Sequence, residues 1–258
     1  MDIIVCVKHV PDVAGAEILI DESGKKIKKG DLPFEINEWD EYAIEEAILI
    51  KERLGSGTVT AITIGDEEAE ATLRRCLAKG ADKAIRVYDD AFEGSDAYAI
   101  AKILHSVIKT MPFDLIFTGL QTNDEGYGQV GGILSEFLEI PHASLVKKIE
   151  IKDKLIEVNR ELEGGLEEVL ELQLPALLTI QTGINEPRYV SIMGIRKAKK
   201  KELQVLDLKD LGLASDEVGI SGSWLQIEEL TIPKPTKQVV MLDDATKLVE
   251  ILRARGLV

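Results

Sequence analysis

Residues 1–140 alternate between continuous apolar runs and stretches that carry apolar residues at helical spacing. The apolar runs cover residues 3–10, 58–65, 83–88 and 114–119. A strand that is buried on both faces has such a run, whereas an amphipathic helix repeats every 3.6 residues or so. Strands alternating with helices predict an α/β fold with a doubly wound, mostly parallel sheet.

The helices of this half have identifiable ends. The first is predicted over about residues 37–54, the second between a cap at Asp66 and a stop at Gly80, and the third after a cap at Ser95. Side chains of Asp and Ser accept hydrogen bonds from the first N–H groups of a helix, and glycine commonly follows its end. A fourth helix is predicted over residues 129–138.

The pattern changes after Pro141. Residues 147–162 and 166–175 predict two strands joined by a hairpin at Glu163-Gly164-Gly165, and residues 175–181 predict one more buried strand. Periodicity is lost from Asn185 onward, and polar and proline residues between 206 and 237 predict an extended arm.

A final helix is predicted after the arm. Asp243 or Asp244 would cap it, and Leu248, Ile251 and Leu252 would lie on one side. An apolar stripe beyond a long tether needs a surface on which to dock. We therefore divide the chain into an α/β domain over residues 1–205 and an arm with a docking helix over residues 206–258.

The composition is that of a globular, acidic chain. It has 258 residues, 45% of them hydrophobic, and its 31 basic against 46 acidic residues give a net charge of −15. This charge argues against broad nucleic-acid binding, although residues 197–201 form a local basic run. No apolar run approaches the roughly 20 residues of a membrane span, and the first residues lack a secretion signal. We expect a cytoplasmic chain without membrane insertion.

Motifs of independent catalysis are missing from the sequence. It contains no HExxH, GxSxG or Walker A motif, and Cys6 and Cys76 lack metal-ligand spacing. The main candidate site is the glycine-rich loop TGLQTNDEGYGQVGG at residues 118–132, between a buried strand and a helix. Its formal GxGxxG match is weak, because the dinucleotide fingerprint normally follows the first strand of the fold.

Two interpretations of this loop remain open. Its glycines could form a turn that lets helix and sheet pack tightly, or they could let backbone N–H groups and the helix N-terminus bind a phosphate. Asp124 and Glu125 would repel a phosphate, so binding would have to use main-chain donors. Trp39, at the start of the first helix, is either the edge of the core or a ring near a ligand.

Several stretches together resemble the β subunit of electron transfer flavoprotein over the full length of the chain. The most specific is VNRELEGGLEEVLELQLPALLT at residues 158–179. Supporting matches are VCVKHVPD near the start, NEWDEYAIEEA at 37–47, RRCLAKGADKAIRV at 74–87 and INEPRYVSIMGIRKAKKK at 184–201. The likeness is greatest to bacterial β subunits that serve dehydrogenases such as trimethylamine dehydrogenase.

The resemblance implies a Rossmann-like, adenine-nucleotide-binding domain in a heterodimer that carries electrons. FAD would be held chiefly by the α subunit and covered by this chain, which would bind a structural AMP. Flavin-dependent dehydrogenases would donate electrons, and an acceptor such as a quinone oxidoreductase would receive them. The C-terminal helix would dock on the α subunit, and the chain would have no catalytic residues of its own.

Bifurcating members of the family place a second FAD, which oxidises NADH, where others hold AMP. They usually carry Gly-Asp-Thr in the loop and proline after its last glycine, whereas Glu125-Gly126-Tyr127 and Gly132 stand here. The difference favours AMP and leaves bifurcation as an alternative. A homodimeric adenine-nucleotide-binding α/β protein is a second alternative, which sets the resemblance aside.

The resemblance also assigns residues. Cys6, Asn37 and Ile64 would contact the adenosine. The phosphate would lie on the backbone of the loop, formed by Asn123, Asp124, Glu125, Gly126, Tyr127, Gly128, Gln129 and Val130. Val13 and Trp39 would lie near the FAD of the α subunit. Within a recognition segment at 184–201, Ile192 and Met193 would contact partner dehydrogenases, with Lys199 and Lys200 beside them.

Overall fold

The computed structural model describes residues 1–30, 32–233 and 239–258. Most of its strands belong to one sheet of nine. The strands of the chain are β1 (Asp2–Cys6), β2 (His9–Pro11), β3 (Phe34–Ile36), β4 (Thr58–Ile64), β5 (Lys83–Val87), β6 (Leu115–Gly119), β7 (His142–Lys152), β8 (Leu155–Glu161), β9 (Glu167–Gln173), β10 (Ala176–Ile180) and β11 (Leu203–Leu206). The helices are α1 (Glu38–Leu54), α2 (Glu70–Lys79), α3 (Ala97–Ile108), α4 (Val130–Phe137), α5 (Ile192–Ala198), α6 (Leu208–Leu211), α7 (Gly219–Gly222) and α8 (Ala245–Ala254).

The large sheet has the order β11-β5-β4-β1-β6-β10-β7-β8-β9. Its strands from β11 to β7 run parallel, and β8 and β9 extend it as antiparallel neighbours. Strands β2 and β3 form a separate antiparallel pair. The order reverses on either side of β1, which confirms the prediction of a doubly wound, mostly parallel α/β fold.

Both faces of the sheet are buried because alternate side chains of each central strand point to opposite sides. In β1, Ile3 and Val5 belong to a core cluster that includes residues of α1 and α2. Ile4 and Cys6 belong to a second cluster with residues of α3 and α4. The apolar run at residues 3–10 is therefore explained by burial on both faces only over β1, because its last residues, His9 and Val10, belong to β2 of the separate pair.

The cap of α3 differs from the prediction. Asp96, not Ser95, precedes the helix, and its carboxylate accepts a hydrogen bond from the Ala99 N–H at 3.0 Å. The Ser95 hydroxyl instead accepts a hydrogen bond from the Gly219 N–H at 2.9 Å. Both residues are good caps, and a contact 124 positions away in the chain decides between them.

The expected hairpin is a three-stranded meander. The stretch predicted as one strand over 147–162 contains the end of β7, a turn at Asp153-Lys154 and β8. Asp153 has φ of 50°, a left-handed conformation that Asp tolerates better than most residues. The turn between β8 and β9 lies at Glu163–Gly165, as predicted. The single-strand interpretation of 147–162 is wrong, because a polar alternation continues through the turn.

Two further elements lie where irregular structure was expected. Helix α5 occupies part of the segment after Asn185, and β11 pairs with β5 at the edge of the sheet. The first part of the predicted arm is not extended. Its residues Leu206, Leu208, Leu211 and Leu213 pack against the second core cluster, in which Val218 is buried. The division of the chain at residue 205 stays a prediction.

The final helix is present as predicted. Asp244 caps α8 by accepting a hydrogen bond from the Thr246 N–H at 2.9 Å. None of its residues is buried, and the side chains of Leu248 and Ile251 are 48% and 38% exposed. The part of the arm at 234–238, including the second half of the proline-rich stretch at 232–235, lies outside the described residues. Within the described ranges, no helix combines the length and the apolar character that crossing a membrane requires.

Candidate functional site

A cleft opens at the carboxyl ends of the parallel strands, beside β1, where the strand order reverses. Open α/β sheets bind ligands at this position. The ends of β1 and β4 form its floor, α3 forms one wall, and the glycine-rich loop before α4 forms the other. Its apolar lining consists of Cys6, Val7, Ile62, Ile64, Ala97, Ile100, Leu104, Leu120 and Val130. Its polar lining includes Lys8, Asp40, Ser95, Gln121, Thr122, Glu125, Tyr127 and Gln129.

The glycine-rich loop presents a row of free backbone donors. Gly126 and Gly128 have φ of 66° and 61°, which reverses the chain before α4 begins at Val130. Among the hydrogen bonds of the described residues, none uses the N–H groups from Tyr127 to Gly132 as donors. Free N–H groups at a glycine loop and a helix N-terminus attract an anion.

Gly131 has a packing reason for its lack of a side chain. A Cβ at this position would lie 2.5 Å from Thr179 Cγ2 and 2.8 Å from Thr118 Oγ1. The first turn of α4 therefore packs directly on β6 and β10. Gly131 has the packing role of the first interpretation, whereas Gly126 and Gly128 shape the donor row, whose binding of a phosphate stays a prediction.

Asn37 fixes the start of the loop. This fully buried side chain donates to the Gln121 carbonyl at 2.8 Å and accepts from the Asn123 N–H at 3.0 Å. Asn123 in turn accepts from the Glu38 N–H at 3.2 Å. Asn37 and Asn123 thus hold the loop against α1 and do not line the cleft.

Asp40 joins the ends of β1 and β6 beneath the cleft. Its carboxylate accepts the Lys8 N–H at 2.7 Å and the Gly119 N–H at 2.9 Å. Burial raises the pKa of this carboxyl to about 7, although both backbone hydrogen bonds favour the ionised form. This role was not predictable from the sequence, since an acidic residue in the first turn of a helix is normally explained by its favourable interaction with the helix dipole.

Lys8 pairs with both acidic residues of the loop. Its Nζ lies 2.8 Å from Asp124 Oδ2 and 2.8 Å from Glu125 Oε2. Burial lowers the pKa of Lys8, but the two carboxylates outweigh it, so the net shift is upward. The expected repulsion of a phosphate by Asp124 and Glu125 is therefore reduced. A lysine at the end of β1 is a signal that could have indicated this pair.

The predicted adenosine and phosphate residues come together around the cleft. The cleft is lined by two of the predicted adenosine residues and five of the predicted phosphate residues. They are Cys6 and Ile64, and Glu125, Tyr127, Gly128, Gln129 and Val130. Cys6 is buried, which raises the pKa of its thiol and leaves it a neutral, apolar part of the floor. Asn37, Asn123, Asp124 and Gly126 support the loop from outside the lining.

Val13 and Trp39 lie away from this lining. Trp39 is half-buried, and its indole N–H donates to Gln181 Oε1 at 2.9 Å, just after β10. Val13 is half-buried in the segment that follows β2. The described residues contain no group of three or more His, Cys, Asp or Glu side chains that could hold a metal ion.

The segment predicted for partner recognition presents its apolar residues to solvent. Ile192 and Met193 are 71% and 67% exposed, and Lys199 and Lys200 are exposed as well. Ser191 caps α5 by accepting the Gly194 N–H at 3.1 Å. The expectation of no helix here is wrong, because two turns are too few for periodicity to appear in the sequence.

Three basic residues fasten this segment to the domain. Arg188 forms a bidentate pair with Glu52 at 2.8 and 2.9 Å and also contacts Glu45. Arg74 donates to the Ala198 carbonyl at 2.9 Å, at the end of α5. Lys201 donates to the carbonyls of Leu77 and Ala81 around the end of α2. Of the basic run at 197–201, Lys201 is therefore part of the anchoring contacts.

Comparison with known proteins agrees with the fold. Residues 26–211 match the model of the electron transfer flavoprotein domain. The chain belongs to the electron transfer flavoprotein β-subunit family. It is 37% identical over 259 residues to the "Electron transfer flavoprotein subunit beta" of Methylophilus methylotrophus, covering 98% of each chain.

Two further relatives show the range of the family. The "Electron transfer flavoprotein subunit beta" of Bacillus subtilis is 40% identical over 261 residues and is covered to 99%, as is this chain. The "Caffeyl-CoA reductase-Etf complex subunit CarD" of Acetobacterium woodii is 38% identical over 229 residues, covering 88% of this chain and 86% of that one. The family is one of flavoproteins, and the β-subunit names imply an α-subunit partner.

Proposed function

We propose that this chain is the non-catalytic β subunit of a cytoplasmic electron carrier and that it binds a structural AMP in the cleft. The single observation that supports nucleotide binding is the row of free N–H groups from Tyr127 to Gly132 beside an apolar floor. The floor, with Cys6 and Ile64, suits an adenine ring, and the donor row suits a phosphate. The side chains of Asn37 and Asn123 keep the donor row in place.

The redox group of the proposed heterodimer is FAD, shared with the α subunit. Bound FAD would supply one-electron and two-electron chemistry, and Val13 and Trp39 would cover it. Electrons would arrive from flavin-dependent dehydrogenases that contact Ile192 and Met193, with Lys199 and Lys200 beside them. They would leave to an acceptor such as a quinone oxidoreductase. This chain would bind, cover and orient rather than react.

The test is the nucleotide and flavin content of the heterodimer, co-expressed with its α subunit. Heat-released supernatant should contain one AMP and one FAD per heterodimer. A second FAD in place of AMP would instead support the bifurcating alternative, which the 38% identity to the subunit of a caffeyl-CoA reductase complex keeps in view. A stable homodimer that binds adenine nucleotide without flavin would support the second alternative.

A substitution separates a binding loop from a simple turn. Gly128→Val should reduce AMP retention at least about tenfold, because φ of 61° is strained for a β-branched residue and the donor row would shift. Gly164→Val is the matched control, with φ of 77° and no atom within 4 Å of its added Cβ, at the turn before β9. Equal AMP content in both variants would show that the loop is only a turn.

A further inference from the structure

The rim of the cleft carries a compact ion cluster, formed by Lys8, Asp124 and Glu125 and called the Lys8 cluster below. Lys8 Nζ contacts a carboxylate oxygen of each acid at 2.8 Å. The side chains of Lys8 and Asp124 are only 34% and 22% exposed, so solvent screens them less than it screens free surface charges. With one cation and two anions, the cluster has a formal charge of −1.

The rest of the described lining provides no positive charge that could offset the negative charge of a di- or triphosphate. Lys8 is the only cationic side chain among the described residues that line the cleft, and both of its nearest partners are acids. The titratable carboxyl groups of the lining are Glu125 and Asp40, and the pKa of about 7 leaves Asp40 only partly ionised at neutral pH. A nucleotide can therefore be held by main-chain N–H groups but finds no free lysine or arginine.

The cluster lies next to the proposed phosphate position. Only Gly126 separates Asp124 and Glu125 from the free N–H groups that begin at Tyr127, and Glu125, Tyr127 and Gly128 line the same cleft. A terminal phosphate monoester carries about −1.5 to −2 at neutral pH, and each added phosphate brings further negative charge to this rim. Repulsion between like charges grows with the charge on the ligand.

We propose that the Lys8 cluster makes the cleft selective for a nucleoside monophosphate over the corresponding di- and triphosphates. This inference rests on the proposed function, in which the ligand is AMP. Lys8 offsets one carboxylate, so that a single phosphate is accepted by the main-chain donors. The remaining negative charge of the cluster repels a second and a third phosphate. Because the cleft is open to solvent, there is room for these phosphates, and the selectivity comes from charge and not from size.

A series of substitutions changes the formal charge of the cluster stepwise. The formal charge is −2 in Lys8→Met and −1 in the unchanged chain. It is 0 in Glu125→Gln and +1 in the double variant Asp124→Asn with Glu125→Gln. Each heterodimer is freed of nucleotide and loaded with fluorescent etheno-AMP, which AMP or ATP then displaces. The ratio of the ATP Kd to the AMP Kd should fall at least about fivefold for each positive step, which is the effect of one unit charge about 4 Å away even at the dielectric constant of water.

The matched control is Glu202→Gln. Glu202 is exposed and precedes β11, which places it at the amino ends of the parallel strands, opposite the cleft. The Glu202→Gln substitution changes the net charge of the chain by the same amount as Glu125→Gln does, but it should leave the ratio of the ATP Kd to the AMP Kd unchanged. Thermal melting identifies any variant that fails to fold. If Lys8→Met fails to fold, Glu125→Gln and the double variant, which make the charge more positive, still test the proposal.

The outcomes separate this inference from the proposed function. Tight AMP binding with a ratio that falls along the series supports both. Tight AMP binding with a constant ratio, or with equal ATP and AMP affinity in the unchanged chain, overturns the selectivity alone. Failure of AMP to displace the probe or to be extracted from the purified heterodimer overturns the nucleotide assignment and the selectivity together.

Discussion

Ile192 is a large aliphatic side chain that the domain leaves uncovered while fixing the backbone around it. Its α5 neighbours are held by Arg74 and Lys201, and Arg188 anchors the chain just before the helix. A preorganised, exposed aliphatic residue is suited to enter a pocket on a partner, because little conformational entropy is lost on binding.

We predict that Ile192→Ala raises the apparent KM of a partner dehydrogenase for this carrier by about tenfold or more, since truncating a hot spot costs about 2 kcal/mol. FAD content and the melting temperature of the heterodimer should not change, because the side chain is 71% exposed. A coupled dehydrogenase assay measures the KM. Val205→Ala removes carbon from another exposed side chain and serves as the control. Loss of FAD with normal kinetics would show that Ile192 is a structural residue.

Helix α8 has no buried residue, and within the described residues it does not pack extensively against any other helix or strand. Its apolar stripe of Leu248, Ile251 and Leu252 is at most half-buried, although each turn of the helix contributes to it. Such a stripe gains stability when another surface covers it.

Removing residues 239–258 should therefore weaken pairing with the α subunit at least about tenfold while the shortened chain stays soluble and folded, because no core residue is lost. Size-exclusion chromatography of mixed subunits measures the pairing. Lys247→Ala with Glu250→Ala keeps the stripe intact and should pair normally. Unchanged pairing of the shortened chain would indicate that α8 folds back on its own domain.

Elements were predictable from the sequence where one local signal dominated. The parallel strands follow from runs such as residues 58–65, and α8 follows from its spacing and its aspartate cap. The turn at Asp153 was missed, because the alternation of β7 and β8 gives no local sign of a reversal. Helix α5 was missed because its two turns are too few for periodicity to appear in the sequence.

The whole molecule depends on long-range polar contacts that no local pattern indicates. Lys8 meets Asp124 and Glu125 across more than 110 positions of sequence. The resemblance assigned the loop and the adenosine residues, but neither the pattern nor the resemblance assigned Lys8 or Asp40. Residues that close a site are brought together by topology, so they become visible only when the strand order is known.

The buried Asp40 makes stability depend on pH. Its pKa of about 7 in the fold lies above the usual value of 3.8, so the unfolded chain releases this proton at lower pH than the folded chain does. The stability that comes from this shift is present at low pH and is lost as the pH rises through about 7.

The reference for this effect is Asp40→Asn, which replaces one acceptor oxygen by a donor and should destabilise the fold by about 1–3 kcal/mol. The difference in unfolding free energy between the unchanged chain and this variant should grow by about 2–3 kcal/mol as the pH falls from about 8 to about 5. Urea denaturation at each pH measures it. A difference that is constant with pH would show that Asp40 stays ionised in the fold.

Lys201 and Arg74 attach α5 near the junction of α2 and β5, which is the end of the sheet opposite the cleft. The two ends of one parallel sheet can accumulate substitutions separately, because a change in the anchored segment need not disturb the loop that surrounds the cleft. Residues 187–201 thus form a segment that can vary in sequence independently of the cleft. Under the proposed function, in which this segment contacts electron donors, descendants of one ancestral carrier could acquire new donors through substitutions in this short stretch, while the rest of the scaffold and its cofactor chemistry are inherited intact.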